Sequence, residues 1–67
     1  MKYTLVGVDG NAYAIMGYVH RIMRREGFPT KEISEYTKRA TSGDYNNLLY
    51  ESIKMVDICN DKAKGEK

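Results

Sequence analysis

The sequence predicts a mainly α fold, a small α+β arrangement of three helices behind one short N-terminal strand. Three observations carry it: an 18-residue stretch from Asp9 to Glu26 with matching start, period and stop signals, two further capped amphipathic stretches, and a single β-rich run at residues 3–8. The first stretch organises the rest. At 100° per residue, Ala12, Ile15, Met16, Val19, Ile22 and Met23 form one stripe of roughly 120°, the width of a helix face packed on a core.

Residues 3–8, Tyr-Thr-Leu-Val-Gly-Val, are β-branched and aromatic and end at Asp9-Gly10, so they read as a strand. The chain offers it no convincing second strand, and its backbone groups need a partner chain, an irregular segment of their own chain, or water. A competing reading makes Asp9-Gly10 a hairpin turn, with residues 12–16 as the returning strand. Asn11 is the expected N-cap of the first helix and Gly27 its stop. Gly17, in mid-helix, costs about 1 kcal/mol relative to Ala and calls for the close approach of another backbone.

Thr30 is placed to cap a second helix, with Ile33, Tyr36, Thr37 and Ala40 on its packing face. Gly43 suits a left-handed helix stop, and Asp44 can cap a third helix running from Tyr45 to about Cys59. The inner face of that helix is expected to hold Tyr45, Leu48, Leu49, Ser52, Met55, Val56 and Cys59, with Ile53 at the edge. Residues 1–60 thus form one small domain. Residues 61–67 alternate in charge and lack large apolar side chains, the pattern of a disordered, solvated tail.

Composition narrows the function classes. A 67-residue chain has a marginal core, and the usual reinforcements are missing: one cysteine, Cys59, forms no internal disulfide, and with one histidine, His20, it supplies no four-ligand zinc site. A second copy of the chain is the expected reinforcement, with Tyr3, Leu5, Val6 and Val8 in the strand of a two-stranded ribbon across a two-fold axis. Val6→Pro would block that ribbon. Six tyrosines and four methionines are many for this length, and Tyr18 and Tyr50 fall near or outside the core edge, where an aromatic with a polar tip suits an interface. The single cysteine and the absence of a secretory h-region or an 18-residue apolar run point to a cytoplasmic setting and no membrane span.

Two resemblances follow from these segments. Val6-Gly-Val-Asp-Gly-Asn-Ala-Tyr-Ala-Ile-Met-Gly17, together with Ala40-Thr-Ser-Gly-Asp-Tyr-Asn-Asn-Leu-Leu49, resembles a family of short, uncharacterised bacterial and prophage proteins. That resemblance implies a mobile-element origin and brings no catalytic residue with it. Gly27-Phe28-Pro29, a short helix, Ala40-Thr41 and Asp44 leading into Leu48-Leu49 is similar in order and spacing to the ubiquitin-associated (UBA) three-helix domain. In that family the Gly-Phe loop and the third helix form an apolar patch for a partner, which implies a role for Gly27, Phe28 and the region of Ile53. Glu26 stands where that family usually has Met.

Net charge is +2, spread unevenly: residues 1–43 carry +3 and residues 44–67 carry −1. His20, Arg21, Arg24 and Arg25 lie opposite the apolar stripe, a face able to meet phosphates, with Lys31, Lys38 and Arg39 near by. The same charges also suit a solvated helix end, where cations meet the macrodipole favourably. The loop from Gly7 to Asn11 lacks the glycines and lysine of a P-loop. His20 and Cys59 are expected on opposite sides of their helices, and Asp9, Glu32, Glu35, Asp44, Glu51 and Asp57 read as caps and surface charges, so no catalytic group, cofactor or metal is expected. The sequence therefore points to a non-enzymatic interaction module that acts as a homodimer, with a nucleic-acid binder using the basic helix face as the alternative. A third reading, a small inhibitor of a host enzyme, rests on the prophage resemblance alone.

Overall fold

The computed structural model describes residues 2–65 and places three helices there: α1 (Ala12–Arg25), α2 (Thr30–Ala40) and α3 (Tyr45–Gly65). The hairpin alternative is excluded, since residues 12–16 are helical. Residues 1, 66 and 67 of the expected domain and tail lie outside the described residues.

Both ends of α1 are built from its own sequence. The Asn11 side chain accepts from the Tyr13 N–H at 2.8 Å, the expected N-cap. At the other end Gly27 has φ +85°, Phe28 N–H reaches Met23 C=O at 2.9 Å, and Gly27 N–H reaches Arg24 C=O at 3.0 Å. That pair of bonds is a Schellman motif, and only glycine meets its φ without strain.

The caps of α2 differ from expectation. Pro29, not Thr30, is the N-cap, and no side chain bonds the helix start; Thr30 is already helical. Gly43 is not left-handed, because only Gly7 and Gly27 have positive φ among the described residues. Side chains close the C-terminus instead: Thr41 Oγ1 donates to Thr37 C=O at 2.7 Å, Ser42 Oγ to Arg39 C=O at 2.8 Å, and Asn47 Nδ2 to the same carbonyl at 2.7 Å. A Cβ at Gly43 would lie 3.1 Å from Asn47 Cβ, so any larger residue there requires Asn47 to give by a few tenths of an ångström. Asp44 caps α3 as expected, accepting from Asn47 N–H at 3.0 Å.

The core takes Ile15, Val19, Ile22 and Met23 from α1, Ile33, Tyr36 and Ala40 from α2, and Leu48, Met55, Val56 and Cys59 from α3. Ala12, Met16 and Leu49 pack half-buried at its margin. Ser52 is fully buried among these because its hydroxyl pairs with that of Tyr36 at 2.6 Å, so neither polar group is left unsatisfied. Tyr45 departs from its expected core position. It is 47 % exposed, and its hydroxyl donates to Gly10 C=O.

No strand forms among the described residues, and the reason lies in where the N-terminal backbone finds its partners. Asn60 Oδ1 accepts from Tyr3 N–H at 2.7 Å while Asn60 Nδ2 donates to Tyr3 C=O at 2.9 Å, so one side-chain amide does what a neighbouring strand would do. Thr4 N–H donates to Tyr18 Oη at 3.1 Å and Val6 N–H to Thr4 Oγ1 at 3.1 Å. Val8 N–H closes on Leu5 C=O at 3.0 Å, a β-turn with Gly7 at φ +86°, as a type II turn requires at its third position. Tyr3 is buried in the core, Leu5 and Val8 pack against it, and Val6 stands at the turn tip. Residues 2–8 are thus an irregular strap, and the ribbon strand of Tyr3, Leu5, Val6 and Val8 is not formed.

The third helix also runs further than expected, through the charged stretch to Gly65. Two side chains give the extension a purpose. Ala63 packs half-buried against the core, and Lys62 Nζ sits 5.0 Å from the centre of the Phe28 ring.

Candidate interaction surfaces

The strap creates the surface features that bare helices would lack. Against α1 it leaves a concavity of about 480 Å³ lined by Lys2, Tyr3, Tyr18, Arg21, Ile22 and Arg25. Against α3 it leaves a smaller one of about 240 Å³, lined by Tyr3, Thr4, Leu5, Val6, Ile53, Val56 and Asp57. A third, of about 390 Å³, lies at the opposite end of the bundle, where Tyr13 and Tyr45 flank Ala12, Met16, Ala40 and Leu48.

The basic residues of α1 separate into two groups. Arg21, Arg24 and Arg25 are exposed, and no carboxylate of the described residues forms an ion pair with them. His20 leaves the group: it is half-buried, its ring meets Tyr36 edge-on at 5.8 Å, and its Nε2 lies 2.7 Å from Thr37 Oγ1. Since Thr37 Oγ1 spends its proton on Ile33 C=O at 3.0 Å, His20 Nε2 must be the donor. Burial first, and the Arg24 charge second, hold the His20 pKa below its ordinary value, so the ring is neutral at pH 7. Arg39 is likewise occupied, with its Nε 3.3 Å from Glu51 Oε1.

The end of α1 holds a buried carboxylate, Glu26, which accepts a hydrogen bond from the Tyr3 hydroxyl and lies 3.5 Å from Lys2 Nζ. A negative charge at a helix C-terminus opposes the macrodipole, and these two partners from the strap offset it. Burial, and then the bond to Glu26, push the Tyr3 phenol up to about 12. Cys59, close by in the core, is pushed up to about 11, by burial first and by Glu26 second. A buried thiol held in its protonated form is a poor nucleophile.

The residues named by the UBA resemblance do not share a surface. Phe28 packs half-buried under Lys62, whereas Ile53 borders the strap. Between Ile53 and Lys62 the helix advances about 13.5 Å and turns through about two and a half revolutions, which puts the two residues on opposite faces. Ile53 instead joins Tyr50, one turn earlier on α3, and Val6 from the strap; the three are 52 %, 62 % and 86 % exposed. Tyr50 also receives Lys54 Nζ at 5.7 Å from its ring centre. Gly27 serves the helix stop.

Sequence reasoning missed Lys2 in the basic concavity and Val6 as a turn tip, and it marked Tyr18 as an interface residue without joining it to Arg21 and Arg25. Lys2 carries no periodic signal, while Gly7 after Val6 was a legible turn mark. No helix of the described residues is long and apolar enough to cross a membrane, and no three of their His, Cys, Asp or Glu side chains are grouped to hold a metal ion. No family model, curated protein or solved structure matches this chain.

Proposed function

We propose that this chain is a small, non-enzymatic interaction module that binds a protein through the face formed by Val6, Tyr50 and Ile53. The observation that carries the reading is the exposure of these three large side chains beside a concavity floored by Leu5 and Val56. A tyrosine and two aliphatic side chains around a small apolar recess match the make-up of an interface centre, where such anchors contribute most of the binding energy. The resemblance of residues 6–17 and 40–49 to short prophage proteins favours a host protein as the partner. Self-association, expected from sequence through a strand ribbon, would use this face in place of the ribbon, since Tyr3 N–H, Tyr3 C=O and Thr4 N–H are bonded within their own chain.

A photo-crosslinking side chain at position 53 tests the reading in host-cell extract. A discrete adduct is expected with this chain and not with the same group at Ser34, exposed on α2; Val6→Lys should abolish it without altering the melting temperature. An adduct of twice the chain's mass would assign the face to a second copy. Identical adducts from positions 34 and 53 would overturn the proposal.

A further inference from the structure

We propose that the concavity between the strap and α1 binds the phosphates of a single-stranded nucleic acid. Three cations line it, Lys2 from the strap and Arg21 and Arg25 from α1. The two arginines stand one turn apart, about 6 Å along the helix axis. Lys2 pairs with Glu26, and neither guanidinium forms an ion pair with a carboxylate of the described residues, so both can meet an outside anion. Macrodipole compensation accounts for cations in the last turn, where Arg24 and Arg25 sit. It does not account for Arg21, a turn earlier.

Tyr18 decides the class of anion. Its hydroxyl accepts the Thr4 N–H at 3.1 Å, which fixes the ring as a half-buried wall beside the two arginines. Guanidinium forks fit phosphate oxygens, and an aromatic surface next to them takes an unstacked base, the combination used on single strands. A duplex keeps its bases stacked inside, and an acidic peptide has no base to offer. The volume, about 480 Å³, is within the range of ligand sites. This site lies apart from the Val6–Ile53 face, so it stands or falls independently of the protein-binding reading.

Fluorescence anisotropy with a short labelled DNA single strand of mixed sequence tests it, against the same sequence as duplex and against polyglutamate. The wild type should prefer the single strand, and Arg21→Gln with Arg25→Gln should weaken binding about tenfold or more. Loss of two phosphate contacts should also reduce the slope of log affinity against log salt by about 1.4. Tyr18→Leu should weaken binding at unchanged salt slope, with thermal melting confirming that the variant is folded. Arg24→Gln, which removes a neighbouring charge outside the concavity, should change affinity less than about twofold. Absence of single-strand binding at low salt, equal or tighter binding of duplex or polyglutamate, or an Arg24→Gln loss as large as that at Arg25 would each overturn the site.

Discussion

Asn60 holds Tyr3 by both edges of its side-chain amide, accepting from the Tyr3 N–H and donating to its C=O across 57 positions of sequence. No aliphatic side chain can do both, and a carboxylate can do only the first. Asn60→Leu should therefore destabilise the domain by about 1–2 kcal/mol, the cost of leaving part-buried polar groups without their partners. Urea unfolding measures this, and native-state hydrogen exchange should show the Tyr3 amide losing its protection. Unchanged stability would mean that water replaces Asn60 without cost.

Val6→Pro separates the strap from the expected ribbon. In a ribbon the substitution removes a ladder donor and yields monomeric or unfolded chains. At the second position of the Leu5–Val8 turn, proline has its preferred backbone angle, and Val6 N–H gives up only an exposed bond to Thr4 Oγ1. The variant should keep its fold, with stability unchanged or raised by up to about 1 kcal/mol. Thermal melting with sedimentation decides between the two outcomes.

Outside its own helical turn, Gly17 has no atom of its chain within 4 Å of where its Cβ would stand, so the close backbone approach expected from sequence is not made within the chain. Gly17→Ala should then stabilise α1 by about 1 kcal/mol, the difference in helix propensity. A denaturant midpoint that falls instead would reveal a neighbour at this position in solution.

The pH dependence should carry the mark of His20. Its folded pKa lies below its unfolded one, so its contribution to stability is fully present above the unfolded value, about 6.5, and is lost as pH falls through the folded value. The groups facing it are Arg24, whose charge opposes protonation, and the uncharged Tyr36 and Thr37. Melting temperatures across acid pH should decline less steeply for His20→Gln than for the wild type. Identical slopes would show that His20 titrates with its unfolded pKa.

The helices were legible because their information is local. Asn11, Gly27 and Asp44 act on backbone groups within five residues, and the stripe from Ile15 to Met23 needs only the helical period. The caps of α2 were misread where a distant side chain, Asn47, supplied what a glycine conformation was expected to supply. The strap was illegible for the same reason on a larger scale. Residues 3–8 have strand composition, but their conformation is set by Asn60, Tyr18 and the turn at Gly7, and the first two cannot be located by any window of neighbouring residues. Arg21 and Arg25 were visible on the helix wheel, whereas the concavity they line depends on that strap.

The bond between Tyr3 and Asn60 also orders events during synthesis. The strap is seated by a side chain made 57 positions later, so it is without its anchor while α1, α2 and most of α3 are being synthesised. During that interval Leu5, Val8 and the buried side of Tyr3 are open to water and to other chains, and a pause before Asn60 prolongs the exposure. Any factor that shields a nascent chain of this protein should therefore act on residues 2–8 and let go once Asn60 can reach Tyr3.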